Sequence, residues 1–194
     1  MKRKIHYDKE LAKASMTFAN GSEARIERLL FYEHGWQEGI CLSWWDGNRM
    51  MADPLDGTDD EILLLLANGL QTPGVFSECF LSAVRELLWG KIPRAGRTIE
   101  LRCKTPYAEE LARASARLSD SSEGRIERLL FGEDSWYNGQ EGIRFSWWKG
   151  KNFKKWPLGV TENELLALLK SALQQDVFPA DFMDALRKIL PAIS

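Results

Sequence analysis

Between Gly39 and Trp45 apolar and polar side chains alternate, with Ile40, Leu42 and Trp44 on one side of an extended chain and Cys41, Ser43 and Trp45 on the other. The same alternation returns after Gly142, where Ile143, Phe145 and Trp147 oppose Arg144, Ser146 and Trp148. A period of two predicts a strand in each place, with one face in a core. The recurrence extends further, since the run from Ser22 to Phe31 reappears almost unchanged from Ser122 to Phe131. The repeating unit is about 90 residues, much longer than a solenoid repeat and suited to a small domain duplicated and fused.

Other elements follow by reading both copies together. Leu11, Ala12, Ser15 and Phe18 fall at helical spacing, as do Leu111, Ala112 and Ser115, which predicts helices over Tyr7 to Ala19 and Tyr107 to Leu118. Arg25 to Glu33 is predicted as a strand, because Gly124 in the second copy weakens a helix there and Gly35 with Trp36 closes the segment. Asp46-Gly47 and Lys149-Gly150 supply tight turns. Strands are then predicted to return through Met50 to Leu55 and Phe153 to Leu158, and Pro54 and Pro157 place their ends at a sheet edge. Thr58-Asp59-Asp60-Glu61 and Thr161-Glu162-Asn163-Glu164 are capping boxes that start helices. A break at Thr72-Pro73-Gly74 or Gln175-Asp176 leads to a last helix, Ser77 to Leu88 or Pro179 to Leu190, with Pro179 suited to an initial helical position.

The fold class expected is α+β: a tandem duplication of one unit (helix, antiparallel strands, helix, helix) packed as an internal pseudo-twofold dimer. Residues 1–90 form the first unit, 91–103 a linker that could add a strand over Thr98 to Cys103, and 104–194 the second unit. Two independent beads are disfavoured, because each unit alone has a thin core.

Composition narrows the class without naming a chemistry. At 44% hydrophobic and 28% charged residues the chain has the make-up of an ordinary soluble globular protein. Met1-Lys2-Arg3-Lys4 is basic but is followed by Tyr7-Asp8-Lys9-Glu10 rather than an apolar run, and the run Ile62 to Ala67 is too short to span a membrane. A cytoplasmic protein is expected. Cys41, Cys79 and Cys103 form an odd set, and the two inside the first repeat are replaced by Arg144 and Asp181 in the second, which argues against a shared disulfide or zinc site. His6 and His34 have no counterpart in the other copy. The acids Asp53, Asp56, Asp59, Asp60 and Glu61 lack the alternating spacing of a hard-cation site and largely lose their charge at the equivalent positions, so they read as a solvated helix start. No phosphate-cradling glycine loop is present. Neither catalysis, a metal nor a cofactor is expected.

The aromatic and basic residues carry the remaining signal. Trp36, Trp44 and Trp45 recur as Trp136, Trp147 and Trp148. Alternation assigns Trp44 and Trp147 to the core and Trp45 and Trp148 to the opposite face, where they are either covered or offered to a partner. From Cys41 to Ala52 the charges cancel, whereas Arg144, Lys149, Lys151, Lys154 and Lys155 form a basic hairpin followed by Trp156. Cations with interleaved rings suit single-stranded nucleic acid. The balance of the whole chain points elsewhere, because residues 1–90 carry 9 bases against 14 acids and residues 104–194 carry 13 of each. Antiparallel strands followed by a Pro-Leu or Pro-Leu-Gly-Val edge and a capped helix (Trp156-Pro157-Leu158-Gly159-Val160-Thr161 into Glu164-Leu165) loosely resemble the transcriptional coactivator p15 family. That resemblance implies paired domains that bind single strands, and it leaves the leading and trailing helices of each unit unexplained.

The expectation is a non-catalytic binding protein, a regulator, adaptor or inhibitor that contacts another protein as an internally symmetric monomer. Single-stranded DNA or RNA binding is the second reading, and an enzyme ranks below both. The candidate binding residues are Trp45, Arg144, Trp148, Lys149, Lys151, Lys154, Lys155 and Trp156.

Overall fold

The computed structural model describes residues 7–32, 36–90, 105–119, 121–155 and 157–190. The first copy of the repeat runs β1 (Tyr7–Thr17), β2 (Glu23–Tyr32), β3 (Trp36–Asp46), β4 (Arg49–Met50), β5 (Leu55–Thr58), α1 (Asp59–Gln71) and α2 (Glu78–Trp89). The second follows the same order with β6 (Ala108–Arg117), β7 (Glu123–Phe131), β8 (Glu141–Lys149), β9 (Asn152–Lys154), β10 (Leu158–Val160), α3 (Glu162–Gln174) and α4 (Ala180–Ile189). The fold is mixed α+β, built from two antiparallel sheets and four helices among the described residues. The linker at 91–103, both histidines, Cys103 and Trp156 lie outside the described residues.

The leading segment of each unit is a strand, which corrects the predicted helices. β1 and β6 pair antiparallel with β2 and β7 along their lengths. Their inward positions are small, and Ala12, Ala14, Met16 and Phe18, or Ala112, Ala114, Ala116 and Leu118, pack into the core. Leu11, which the helical pattern would bury, is 40% exposed. A register shift between Glu10 and Ala12, matched between Glu110 and Ala112, explains the misreading. An extra residue at a bulge moves the alternation out of phase and leaves apolar residues at spacings that imitate a helix. Alanine's helical preference is worth only tenths of a kcal/mol per residue, so a complete ladder of backbone bonds together with burial outweighs it.

The hairpin turns form where Gly47 and Gly150 adopt φ of 56° and 60°. The returning strands differ from expectation. β4 and β9 are only two and three residues long, and after a break ending at Pro54 or Pro157 the chain leaves its own sheet. β5 pairs antiparallel with β8 of the second copy, and β10 pairs with β3 of the first. One sheet, here sheet A, therefore has the order β1-β2-β3-β10, and sheet B has the order β5-β8-β7-β6.

Helices bind the exchange together. Thr58 and Thr161 form the predicted capping boxes with Glu61 and Glu164. The same two glutamates accept from the amides of Ala19 at 2.7 Å and Ser119 at 2.6 Å, which fixes each helix start to the turn after the unit's first strand. Ser77 caps α2, and Pro179 occupies the cap position of α4 rather than its first turn. α1 packs against α4, and α2 against both α3 and α4. Arg28 reaches Glu162 at 3.2 Å, and its equivalent Arg128 reaches Asp59 at 3.4 Å, so each copy's second strand grips the other copy's helix start. Glu162 also accepts from the Ser77 amide at 2.7 Å. One core cluster contains Ile26, Leu42 and Leu65 together with Ile126, Phe145 and Leu168.

Candidate functional site

Alternation along each central strand leaves a second face on each sheet, turned away from the helices. On sheet B its central row runs Arg113, Glu127, Arg144, Asp56, one residue from each of β6, β7, β8 and β5, each directly opposite the next. Base and acid alternate across the row. On sheet A the corresponding row is Lys13, Glu27, Cys41, Gly159. Arg144 in place of Cys41 and Asp56 in place of Gly159 are thus two halves of one difference, joined only because the edge strands cross between copies.

Glu127 is fully buried, and its Oε2 accepts from Arg144 Nε at 2.9 Å and from the Ser146 hydroxyl. Its Oε1 is buried without a hydrogen-bond partner. Burial opposes the charge of Arg144, but Glu127, together with Asp56 and Tyr107, more than offsets it and raises the guanidinium's pKa. Asp56 is 6% exposed and accepts from the Tyr107 hydroxyl at 2.6 Å. Burial pushes its carboxyl up to about 6, against the opposing effects of Tyr107 and Arg144. Burial, and then Asp56 itself, raises Tyr107 well above the ordinary phenol range. Glu110 is raised by burial, with Arg113 pulling the other way and Glu127 adding to the rise. The expectation that Asp56 belongs to a solvated acidic helix start is therefore corrected. It sits in a strand before that helix and is buried.

Glu127, Arg144 and Asp56 of this row line a groove of about 760 Å³ and form its floor. The walls include Tyr107, Trp136, Tyr137, Trp148 and Phe153, with Asp53 and Lys155 also lining it. Trp136 is 72% exposed and Tyr137 is buried. Both belong to the β7–β8 connection, which is three residues longer than its counterpart, since Phe131 and Gly142 stand 11 positions apart where Phe31 and Gly39 stand 8 apart.

The candidate residues from the sequence divide in this setting. Trp45 is buried, its ring beneath the Arg25 guanidinium at 3.9 Å and its Nε1 bonded to Ser43 and Glu27, so it is not presented for binding. Trp148 is half-buried, with Arg125 over its ring at 4.0 Å and Phe153 edge-on at 5.2 Å. An arginine of the same sheet therefore covers one face of each ring. Trp44 is buried as expected, and Trp147 is half-buried against the same core. Arg144 lies on the groove floor in an ion pair, not on the solvent side of the hairpin. Lys149 and Lys151 project at the hairpin tip, Lys154 is half-buried and Lys155 stands at the groove margin. Asp56, Tyr107 and Glu127 were missed as site residues. The joint change at positions 41 and 56 relative to 144 and 159 was the available signal, but reading it requires knowing that strands cross.

Among the described residues no group of His, Cys, Asp or Glu could hold a metal ion. Cys41 and Cys79 are free thiols, and burial raises the pKa of Cys41. No described helix is long and apolar enough to cross a membrane. Fold and site define a two-sheet α+β protein with a mixed-charge, aromatic-walled groove on one sheet. No family model, curated protein or solved structure matches the chain, so the p15-like pattern gains no support from a relative.

Proposed function

We propose that the chain is an internal dimer of fused repeats acting as a non-catalytic binding protein, and that the groove on sheet B receives a segment of a partner protein. The observation that carries this reading is convergence. The longer loop with Trp136 and Tyr137, Arg144 in place of Cys41, and Asp56 opposite it all meet in one groove, while Trp45 and Cys41 are buried on the corresponding face of sheet A. A fused pair can specialise one of two equivalent faces, which a homodimer cannot do. Exposed tryptophan and tyrosine beside a concave polar floor are the residue types that dominate protein interfaces. A regulator, adaptor or inhibitor would use such a surface. The test places a photoreactive phenylalanine analogue at position 136, with Leu64, exposed on α1, as the control position. Selective cross-linking from position 136 that Phe153→Ala abolishes supports the reading. Identical products from both positions overturn it.

A second reading keeps single-stranded nucleic acid. Lys149, Lys151 and Lys155 are exposed. Fluorescence titration with DNA and RNA oligonucleotides at about 50 and 200 mM salt decides it, because phosphate contacts give a steep salt dependence. Loss of salt-sensitive binding in a Lys149, Lys151, Lys154, Lys155 to alanine variant favours this reading. Absence of binding at both salts removes it.

A further inference from the structure

The acids on the groove floor are not fully balanced. Glu110 pairs with Arg113 at 3.7 Å and Glu127 with Arg144 at 2.9 Å. Asp56 accepts from the neutral phenol of Tyr107, while the Arg144 opposite it already serves Glu127. On the other side of Arg144, Glu127 Oε1 lacks a donor among the described residues although Glu127 is fully buried. A buried acceptor left without a donor is costly and uncommon in a folded protein, so its presence in a groove marks a place for a donor from outside. Sheet A gives the contrast, since Glu27 Oε1 has the Arg25 guanidinium at 3.9 Å.

Three features specify the donor. It must be cationic, because Asp56 and Glu127 would repel phosphate or carboxylate. It must sit at the end of a long stem, because the acceptors lie at the bottom of a groove while Trp136 stands at its exposed wall. It must suit flat aromatic walls, which favours a planar guanidinium that can bond to carboxylates in its plane and stack on rings through its faces.

We propose that the groove on sheet B is a receptor for an arginine side chain of the partner protein, with the guanidinium over Arg144 and within reach of the Asp56 and Glu127 carboxylates on its two sides, and the stem against Tyr107 and Trp136. This rests on the protein-binding role and gives its chemistry. The arginine supplies the donor that Glu127 Oε1 lacks and a second positive charge near Asp56, whose neighbour Arg144 is bonded to Glu127.

The test uses the intact chain and follows the indole N–H signals of Trp136 and Trp148 by NMR. N-acetyl-arginine amide is compared with N-acetyl-citrulline amide, which has nearly the same shape without the charge. Saturable shifts with the arginine probe in the millimolar range are expected, with affinity at least about fivefold weaker for citrulline and for the Asp56→Asn variant. Asparagine still offers Tyr107 an acceptor, so the groove keeps its shape, and Lys155→Ala, which removes a competing cation from the margin, should bind the probe at least as well as wild type. Equal binding of citrulline, an unchanged affinity in Asp56→Asn, or no saturable shift up to about 50 mM probe overturns the proposal. If position 136 still cross-links selectively to a partner, only the arginine chemistry has failed. If that cross-link is also absent, the groove reading itself has failed.

Discussion

Asp56 lies directly opposite Arg144 in the β5–β8 ladder, although the two residues come from different copies of the repeat. Neither has its partner type at the equivalent site, where Gly159 faces Cys41. The two positions complement one another only across the exchange, so the asymmetry of the protein is concentrated where its halves are joined.

The Asp56 charge is held at a cost in stability. Its folded pKa is raised to about 6 from the ordinary 3.8, so the folded state binds the proton more tightly than the unfolded state. This carboxyl therefore disfavours folding as pH rises from about 4 to above 6, by something on the order of 3 kcal/mol when both states are ionised. Asp56→Asn is expected to be more stable than wild type at pH 8 by up to that amount, with the advantage disappearing near pH 4. Urea unfolding at the two pH values measures it. No gain at pH 8 would mean that Arg144 fully compensates the charge.

Strand exchange makes each half dependent on the other. Residues 1–90 alone would have no β10 to cover β3 and no sheet to receive β5. Each half expressed alone is expected to be unfolded or self-associated, and mixing the two should restore a folded one-to-one complex, seen by circular dichroism and light scattering. A stable folded monomer from either half would contradict the exchange.

Close backbone approach fixes where β5 sits. A Cβ at Gly142 would stand 2.1 Å from the Gly57 carbonyl oxygen and 2.7 Å from the Phe131 ring. Gly142→Ala must push β5 away from β8, with an expected loss of about 2 kcal/mol or more. Hydrogen exchange should show lost protection at Leu55 to Thr58 before the rest of sheet B. Unchanged exchange there would show that β5 can shift without losing its ladder.

Glu162 joins three elements by accepting from the Ser77 amide and hydroxyl and pairing with Arg28. Glu162→Ala is expected to cost about 1 to 3 kcal/mol in chemical denaturation, more than an exposed ion pair would contribute, because the start of α2 loses its acceptor. A change below about 0.5 kcal/mol would assign the contact no structural weight.

What the sequence determined by itself was local. The capping boxes at Thr58 and Thr161, the turns at Gly47 and Gly150, the alternating β3 and β8 and the burial of Trp44 all depend on residues within a few positions of one another, and the recurring sequence pattern let the local signals be read twice. The leading segments were not legible, because the bulges after Glu10 and Glu110 shift an alternating pattern into one that alanine-rich helices share. Their strand state depends on a partner edge, which no local preference records. The groove was legible only as unexplained differences between copies. Asp56, Tyr107, Glu127 and Arg144 are far apart along the chain, and they meet because β5 crosses to β8. That crossing was decided by the tertiary structure alone. β3 and β8 each have one free edge after pairing with β2 and β7, β4 or β9 occupies only one end of it, and the rest pairs with the strand the other copy supplies. Backbone hydrogen bonds are nearly the same for either donor strand, so the choice falls to side-chain packing, ion pairs and the short connections at Pro54 and Pro157.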